Sequence, residues 1–323
     1  MIMKKIGLCA TPFSPEQIHQ AETLAVQYGY TLINQEPEAL KEPGFLKEYE
    51  VLAGYFPKER IREAESLRWL HTPAAGVDKL LDPDMYPNPD VILTNSSGAF
   101  GEAIAEYLVC ALLMLLRRMP QYLDNQRKRE WRRVGPGGLL YGMTVTIVGL
   151  GDLGRTLASR LNAMGVTVRG VRRGTGIEPQ GIQNVYPVCQ LNEALSGADA
   201  VALCLPATPE TRGLMNTAAF AAMKQGAYFL NAGRGATVNT PALINALQSG
   251  HLAGAALDVT DPEPLPLESP LWGMENVILT PHIAGSDFDP GNIPLMFDIF
   301  YENLCRYLRG EPLINQVNRA RGY

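Results

Sequence analysis

Residues 143–154, Met-Thr-Val-Thr-Ile-Val-Gly-Leu-Gly-Asp-Leu-Gly, leave the backbone few choices. An apolar run that breaks into Gly149, Gly151 and Gly154 reads as a strand, a tight turn and the start of a helix. Gly149 allows the sharp turn, Gly151 lacks the Cβ that would block a pyrophosphate, and Gly154 lets helix pack on strand. The amide N–H groups of the new helix then face the phosphates. Such glycines alone also fit an ordinary α/β turn, but the context favours dinucleotide binding. Residues 145–148 precede them, 155–164 continue at helical spacing, and a second strand-like run, 166–171, follows Gly165.

At 323 residues, and with roughly 150 residues per domain as a prior, the chain is expected to form two domains. A formal charge of −5 and a pI near 5.5 argue against nucleic-acid or anionic-membrane partners, which need a dense basic face. The basic cluster Arg127, Lys128, Arg129, Arg132 and Arg133 around Trp131 reads as a solvated helix end, with attraction of an acidic substrate or cofactor as the other reading. Cys9, Cys110, Cys189, Cys204 and Cys305 lie among apolar neighbours without C-x-x-C spacing and read as reduced core residues of a cytoplasmic protein. The run 107–116 is short of the roughly 20 apolar residues that span a bilayer. No metal is expected.

From the N-terminus, 4–10 reads as a strand, 15–28 as a helix, and 31–34, 51–56, 67–71 and 91–95 as further strands of a small α/β unit. Its candidate functional loop is 72–79, where Pro73, Ala74, Ala75 and Gly76 expose backbone N–H groups; a plain turn is the alternative. The small, polar stretch 95–102 marks a hinge before an apolar helix over 103–119, whose apolarity on nearly every side requires burial between elements, between domains or against another subunit. Strands at 144–148, 166–171, 185–188, 199–205, 227–231, 254–259 and 277–280 then alternate with helices, the pattern of a doubly wound parallel sheet. Pro206 with Thr208 and Thr211, Asn231 with Arg234, Asp258 with Glu263, and Pro281 with His282 fall at or just past strand ends, where such sheets bind ligands. A last amphipathic helix, 294–309, follows a second hinge at 285–291. The expected domains are therefore 1–98 with 290–323, for substrate, and 99–289, for dinucleotide, with the active site in the cleft between them.

Folds that select NAD place a carboxylate at the end of the second strand to bind the ribose 2′-hydroxyl. Here that place holds Arg172 and Arg173, and no carboxylate occurs before Glu178, beyond Gly174 and Gly176. Two guanidiniums can grip a 2′-phosphate and stack on adenine, so NADP(H) is expected over NAD(H).

Three segments, Asn231-Ala-Gly-Arg-Gly, the run from Ala256 through Asp258 and Glu263, and Leu279-Thr-Pro-His-Ile-Ala-Gly, resemble the D-isomer-specific 2-hydroxyacid dehydrogenases. The likeness extends to Ala75-Gly76-Val77-Asp78, the Gly149 loop, the segment 205–211 and the ending 310–315, and so covers most of the chain. It implies two Rossmann-like or flavodoxin-like domains and a homodimer. It also implies His282 as acid/base, Glu263 as its partner, and Arg234 as the substrate anchor with the amides of Ala75 and Gly76. The implied cofactor contacts are Gly149, Gly151, Asp152, Leu153, Gly154, Arg172, Arg173, Leu205, Pro206, Thr211, Ala232, Asp258, His282 and Gly285, with Asp258 facing the nicotinamide carboxamide; as the alternative, Asp258 and Asn231 simply cap the backbone. Chemistry supports the assignment: reduction of a 2-oxo acid needs a proton on the developing alkoxide, and a carboxylate bonded to His282 favours imidazolium and orients it. His19, His71 and His251 read as structural. Arg172, where an acid is usual, points to the NADPH-using reductases of glyoxylate, hydroxypyruvate and related acids. Glu263, where formate-oxidising relatives carry glutamine, argues against that branch. The competing reading is a dinucleotide-sensing binding protein, like the corepressors that share the fold.

Overall fold

A computed structural model describes residues 4–174 and 180–323, so Gly176 and Glu178 lie outside the described residues. The chain divides into two compact units, residues up to 100 with 286–323, and 101–285, against expected edges after 98 and after 289.

The first unit begins with β1 (Lys4–Cys9), α1 (Pro15–Gln27), β2 (Tyr30–Gln35), β3 (Tyr49–Gly54), α2 (Lys58–Arg62), β4 (Trp69–Thr72) and β5 (Ile92–Asn95). Helix α1 starts where Ser14 and Gln17 cap each other's backbone N–H groups, with Pro15 in the first helical position. The sheet is parallel in the order β2-β1-β3-β4-β5, the flavodoxin-like winding.

The second unit runs α3 (Gly101–Leu116), α4 (Met119–Arg127), β6 (Thr144–Val148), α5 (Asp152–Ala163), β7 (Thr167–Arg172), β8 (Asn184–Pro187), α6 (Leu191–Leu195), β9 (Ala200–Leu203), α7 (Thr217–Ala222), β10 (Ala227–Asn231), α8 (Thr240–Gln248), β11 (Leu252–Leu257) and β12 (Val277–Leu279). The order β8-β7-β6-β9-β10-β11-β12 is the Rossmann order extended by a strand, with the switch between β6 and β9. Alternate residues serve opposite faces. Val201, Leu203, Phe229 and Leu257 join Leu195, Phe220, Leu243 and Leu247 of α6, α7 and α8, whereas Ala200, Ala202, Leu230 and Ala256 join Leu108, Leu112, Leu157 and Leu161 of α3 and α5.

Two expectations are corrected here. The apolar helix ends at Leu116, not 119, because Pro120 has no N–H to give a helical partner; Arg118 turns left-handed (φ 55°), α4 restarts with Pro120 in its first turn, and the Gly138 N–H takes the Leu116 carbonyl at 2.7 Å. Within the chain α3 buries Ala105, Leu108, Leu112 and Leu115, while Glu102, Glu106 and Cys110 are exposed. Cys189 is also exposed, so the core reading of the cysteines holds for Cys9 and fails for Cys110 and Cys189. No helix among the described residues is long and apolar enough to cross a membrane.

The chain returns to the first unit with α9 (Ile293–Arg309), closed by Gly310 in the left-handed conformation (φ 72°). Phe297 and Phe300 pack with Phe13, and Phe300 lies over Trp69 and His71. His71 is fully buried, its Nδ1 2.9 Å from the Thr94 hydroxyl, and burial pulls its pKa from 6.5 down to about 3. Between those values the unfolded chain binds a proton that the folded one refuses, so stability present above pH 6.5 is lost on acidification, by up to about 1.4 kcal/mol per pH unit. Urea midpoints measured from pH 7 to pH 4 should therefore fall less steeply in His71→Asn than in the wild type; equal slopes would remove His71 from the acid sensitivity of this unit.

Candidate active site

The glycine turn at the end of β6 has three separable requirements. Gly149 sits at φ 106°, a conformation L-residues rarely adopt, with the Cys204 carbonyl 2.6 Å from where a Cβ would stand. At Gly154 a Cβ would lie 1.9 Å from the Gly149 carbonyl oxygen, so only glycine lets α5 lie this close to the turn. At Gly151 a Cβ would meet nothing within 4 Å, and the start of α5 has no side-chain cap. Open space in front of an uncapped helix N-terminus, at the switch point of a Rossmann sheet, fits the pyrophosphate of a dinucleotide. Asp152 and Leu153 form the first turn of that helix.

Arg172 closes β7 and Arg173 follows it, exposed. Across the switch, the segment after β9 folds on itself: the Thr211 hydroxyl donates to the Pro206 carbonyl at 2.7 Å and accepts the Thr208 N–H at 2.8 Å. The Glu210 carboxyl is held below its ordinary range, first by the Thr208 hydroxyl and its own amide, and in smaller part by the Arg173 guanidinium. Thr211 and Pro206 shape the 206–211 turn, while Leu205 presents its carbonyl to Gly233, where a Cβ would come within 2.7 Å. Burial pushes the thiol pKa of Cys204 up to about 12, which removes it as a nucleophile.

The loops after β10, β11 and β12 hold the groups with chemistry. Asn231, 1% exposed, donates to the Arg234 carbonyl at 3.1 Å and accepts the Gly233 N–H at 3.0 Å, bracketing the turn that contains Ala232. The Arg234 side chain is half-buried and donates to the Gly233 carbonyl at 2.8 Å. A Cβ on Gly235 would lie 1.9 Å from the Thr260 carbonyl oxygen, which packs this loop on the segment that leads to Glu263. His282 Nδ1 lies 2.7 Å from Glu263 Oε1, with both side chains a little over two-fifths exposed. The Asp258 carboxylate is 2% exposed and accepts from the Thr280 hydroxyl at 2.7 Å and from the Ile283 and Ala284 N–H groups at 2.9 Å, and Gly285 follows that turn. Asp258 is thus committed to the backbone that carries His282. Thr280 and its partner Tyr107, 2.6 Å away on α3, were not singled out by sequence; nothing in the sequence pairs residues 173 positions apart.

Ala75 and Gly76 belong to the first unit. The Ala74 carbonyl accepts the Ser96 N–H and the Ala75 carbonyl accepts the Asn95 amide at 2.7 Å, so the turn is pinned by its oxygens. The N–H groups of Ala75 and Gly76 have no protein acceptor among the described residues. The other histidines do structural work or none: His251 bonds Gln225 and the Phe220 carbonyl, and His19 lies exposed on α1 beside Glu22.

The turn and sheet define a dinucleotide-binding α/β protein. Residues 109–284 match the family described as D-isomer specific 2-hydroxyacid dehydrogenase, NAD binding domain. The chain is 34% identical over 274 residues to glyoxylate/hydroxypyruvate reductase A of Klebsiella pneumoniae (strain 342), covering 83% of this chain and 86% of that protein. Among solved structures, a D-isomer specific 2-hydroxyacid dehydrogenase family protein from Aeromonas salmonicida gives a TM-score of 0.82 at 33% identity, covering 98% of this chain and 99% of that one. The NADPH-dependent glyoxylate/hydroxypyruvate reductase from Sinorhizobium meliloti, solved with NADP and sulfate, gives 0.81 at 30% identity, covering 99% and 100%. The chain belongs to the D-isomer-specific 2-hydroxyacid dehydrogenase family and is an NAD(P)-dependent enzyme of that kind.

The glycine geometry predicts a split between two alanine variants. Gly151→Ala should keep the wild-type Tm within about 2 °C while weakening dinucleotide binding about tenfold or more, whereas Gly154→Ala should lower Tm by at least about 4 °C, the shift expected for 1–2 kcal/mol in a domain of this size. Differential scanning fluorimetry with and without dinucleotide reads both. Equal effects at the two positions would contradict the separation of roles.

Proposed function

We propose that this enzyme uses NADPH to reduce a small 2-oxo acid of the glyoxylate or hydroxypyruvate kind to the corresponding D-2-hydroxy acid. The observation that carries this reading is the His282–Glu263 pair at 2.7 Å, on loops that also bring Arg234 to the carboxyl edge of the sheet. When bound, the reduced nicotinamide supplies the hydride that C2 of the substrate accepts. With its Nδ1–H directed at the Glu263 carboxylate, His282 keeps Nε2 for the substrate, and from there the imidazolium gives its proton to the developing alkoxide. Arg234 binds the substrate carboxylate and polarises the carbonyl, and the amides of Ala75 and Gly76 in the first unit are proposed as further donors to that carboxylate.

Gly149, Gly151 and Gly154 with Asp152 and Leu153 hold the pyrophosphate, and Arg172 and Arg173 take the 2′-phosphate. Leu205, Pro206, Thr211, Ala232 and Gly285 are assigned to the walls of the same cofactor site. Asp258 is assigned there too, acting on the nicotinamide end by holding the 280–284 turn, since its carboxylate is already engaged. The NADP-bound relative from Sinorhizobium meliloti supports the cofactor assignment. Trp131, Leu139 and Tyr141, exposed large side chains in the segment after α4, support a homodimer, and the free cysteines fit a reducing cytoplasm.

Oxidation of NADPH and NADH followed optically with glyoxylate, hydroxypyruvate, pyruvate and longer 2-oxo acids tests the reading. Turnover with NADPH should exceed that with NADH, and His282→Ala should lower kcat by about 10²–10⁴. Replacing Arg172 and Arg173 together by alanine should raise KM for NADPH at least about tenfold while changing that for NADH little. A preference for NADH would overturn the cofactor assignment, and binding without turnover across the panel would favour a sensing role.

A further inference from the structure

His282 is held in a conformation that its residue type does not favour. At φ 57° it lies in the left-handed region, which costs a non-glycine residue roughly 1–2 kcal/mol. Local bonds offset that cost: the His282 N–H reaches the Asp258 carbonyl at 2.8 Å, and the next two N–H groups reach the Asp258 carboxylate at 2.9 Å each. Asp258 is therefore the template on which the catalytic turn is folded.

Asp258 is itself fixed from outside the turn. The Thr280 hydroxyl stands 2.7 Å from Asp258 Oδ1, and the Tyr107 hydroxyl stands 2.6 Å from the same Thr280 oxygen. Proton counting sets the direction. A carboxylate only accepts, so the one hydroxyl proton of Thr280 goes to Asp258; the Tyr107 hydroxyl must then donate to Thr280. Burial pushes the Tyr107 pKa up to about 12, so that donor stays protonated across the working range. Hydrogen bonds in series polarise one another, which strengthens the chain beyond its separate links. Tyr107 lies on α3 between Ala105 and Leu108, both buried in the core against α5 and the sheet.

We infer that Tyr107 and Thr280 are positioning residues for His282: a hydrogen-bond chain from α3 through Thr280 to Asp258 sets the turn that aims the imidazole. The inference rests on the proposed acid/base role of His282. The ring is fixed separately, at Nδ1 by Glu263, so breaking the chain keeps the His282–Glu263 pair and displaces Nε2 from its productive place. Displacements of that order cost up to about a hundredfold in rate. Cofactor binding at the Gly149 turn does not involve the chain.

Three variants of the full-length enzyme test it. Thr280→Val keeps the shape and removes both bonds, Tyr107→Phe removes the outer one, and Thr280→Ser restores the hydroxyl. With NADPH and glyoxylate, kcat should fall about 10- to 100-fold in Thr280→Val and less in Tyr107→Phe, and Thr280→Ser should recover most of the loss. A second readout does not depend on turnover. The chain has four histidines, so the His282 Cε1–H resonance is assigned by its disappearance in His282→Gln; its chemical shift should move in Thr280→Val and return in Thr280→Ser, while the signals of His19, His71 and His251 stay in place. An unmoved His282 signal, or a movement of all four signals together with a loss of Tm, would overturn the inference. If the wild type reduced no 2-oxo acid, the acid/base reading would fall while the His282 resonance would still decide whether the chain positions that residue.

Discussion

The central strands of the seven-stranded parallel sheet, β6, β9, β10 and β11, are largely buried on both faces and leave a polar side chain few places except at the strand ends. Val201 and Leu203 point to one apolar layer, Ala200 and Ala202 to the other, and neither layer tolerates an unpaired polar atom. The carboxyl edge of the second unit accordingly gathers Arg172, Asn231 and Arg234, Asp258 and Glu263, and His282, each just where its strand stops. Chemistry is concentrated there because the packing excludes it elsewhere, and because helix N-termini such as that of α5 point their N–H groups at the same edge.

Not all of those edge residues are available to a ligand. Asn231 and Asp258 are almost wholly buried, and their side-chain oxygens and nitrogen are engaged with the loops beside them. A buried amide or carboxylate left without partners would cost about 1–3 kcal/mol or more, so such residues become the frames on which loops are folded. Arg234, Glu263 and His282 differ in being partly exposed. Framing residues and candidate site residues thus alternate along one edge: Asn231 shapes the turn of Arg234, and Asp258 shapes the turn of His282.

Much of this was legible in the sequence where the constraint is local. Gly149, Gly151 and Gly154 announce a strand-turn-helix because sterics act within five residues, and period-two and helical apolar patterns locate the strands and helices to within a few positions. Element ends were less legible. The helix expected to reach 119 stops at Leu116, since the effect of Pro120 is felt a full turn earlier, at the carbonyl it cannot bond. Exposure was legible only in part, because apolar neighbours along the chain around Cys110 and Cys189 say nothing about which side of the element each thiol takes.

Least legible were bonds between distant segments. For Asp258 the sequence leaves two readings, a contact to the nicotinamide and a cap on the backbone; the N–H groups that its carboxylate accepts lie more than twenty residues further on, and the strand pairing of β11 with β12 is what brings them there. Thr280 stood in view inside the Leu-Thr-Pro-His segment without a reason of its own, because its partners Asp258 and Tyr107 lie on a different strand and on a helix that precedes the whole sheet. The sequence names the acid/base candidate because histidine is chemically distinctive. What fixes its direction is a pair of ordinary hydroxyls, and a hydroxyl acquires meaning only when the fold supplies an acceptor for its single proton.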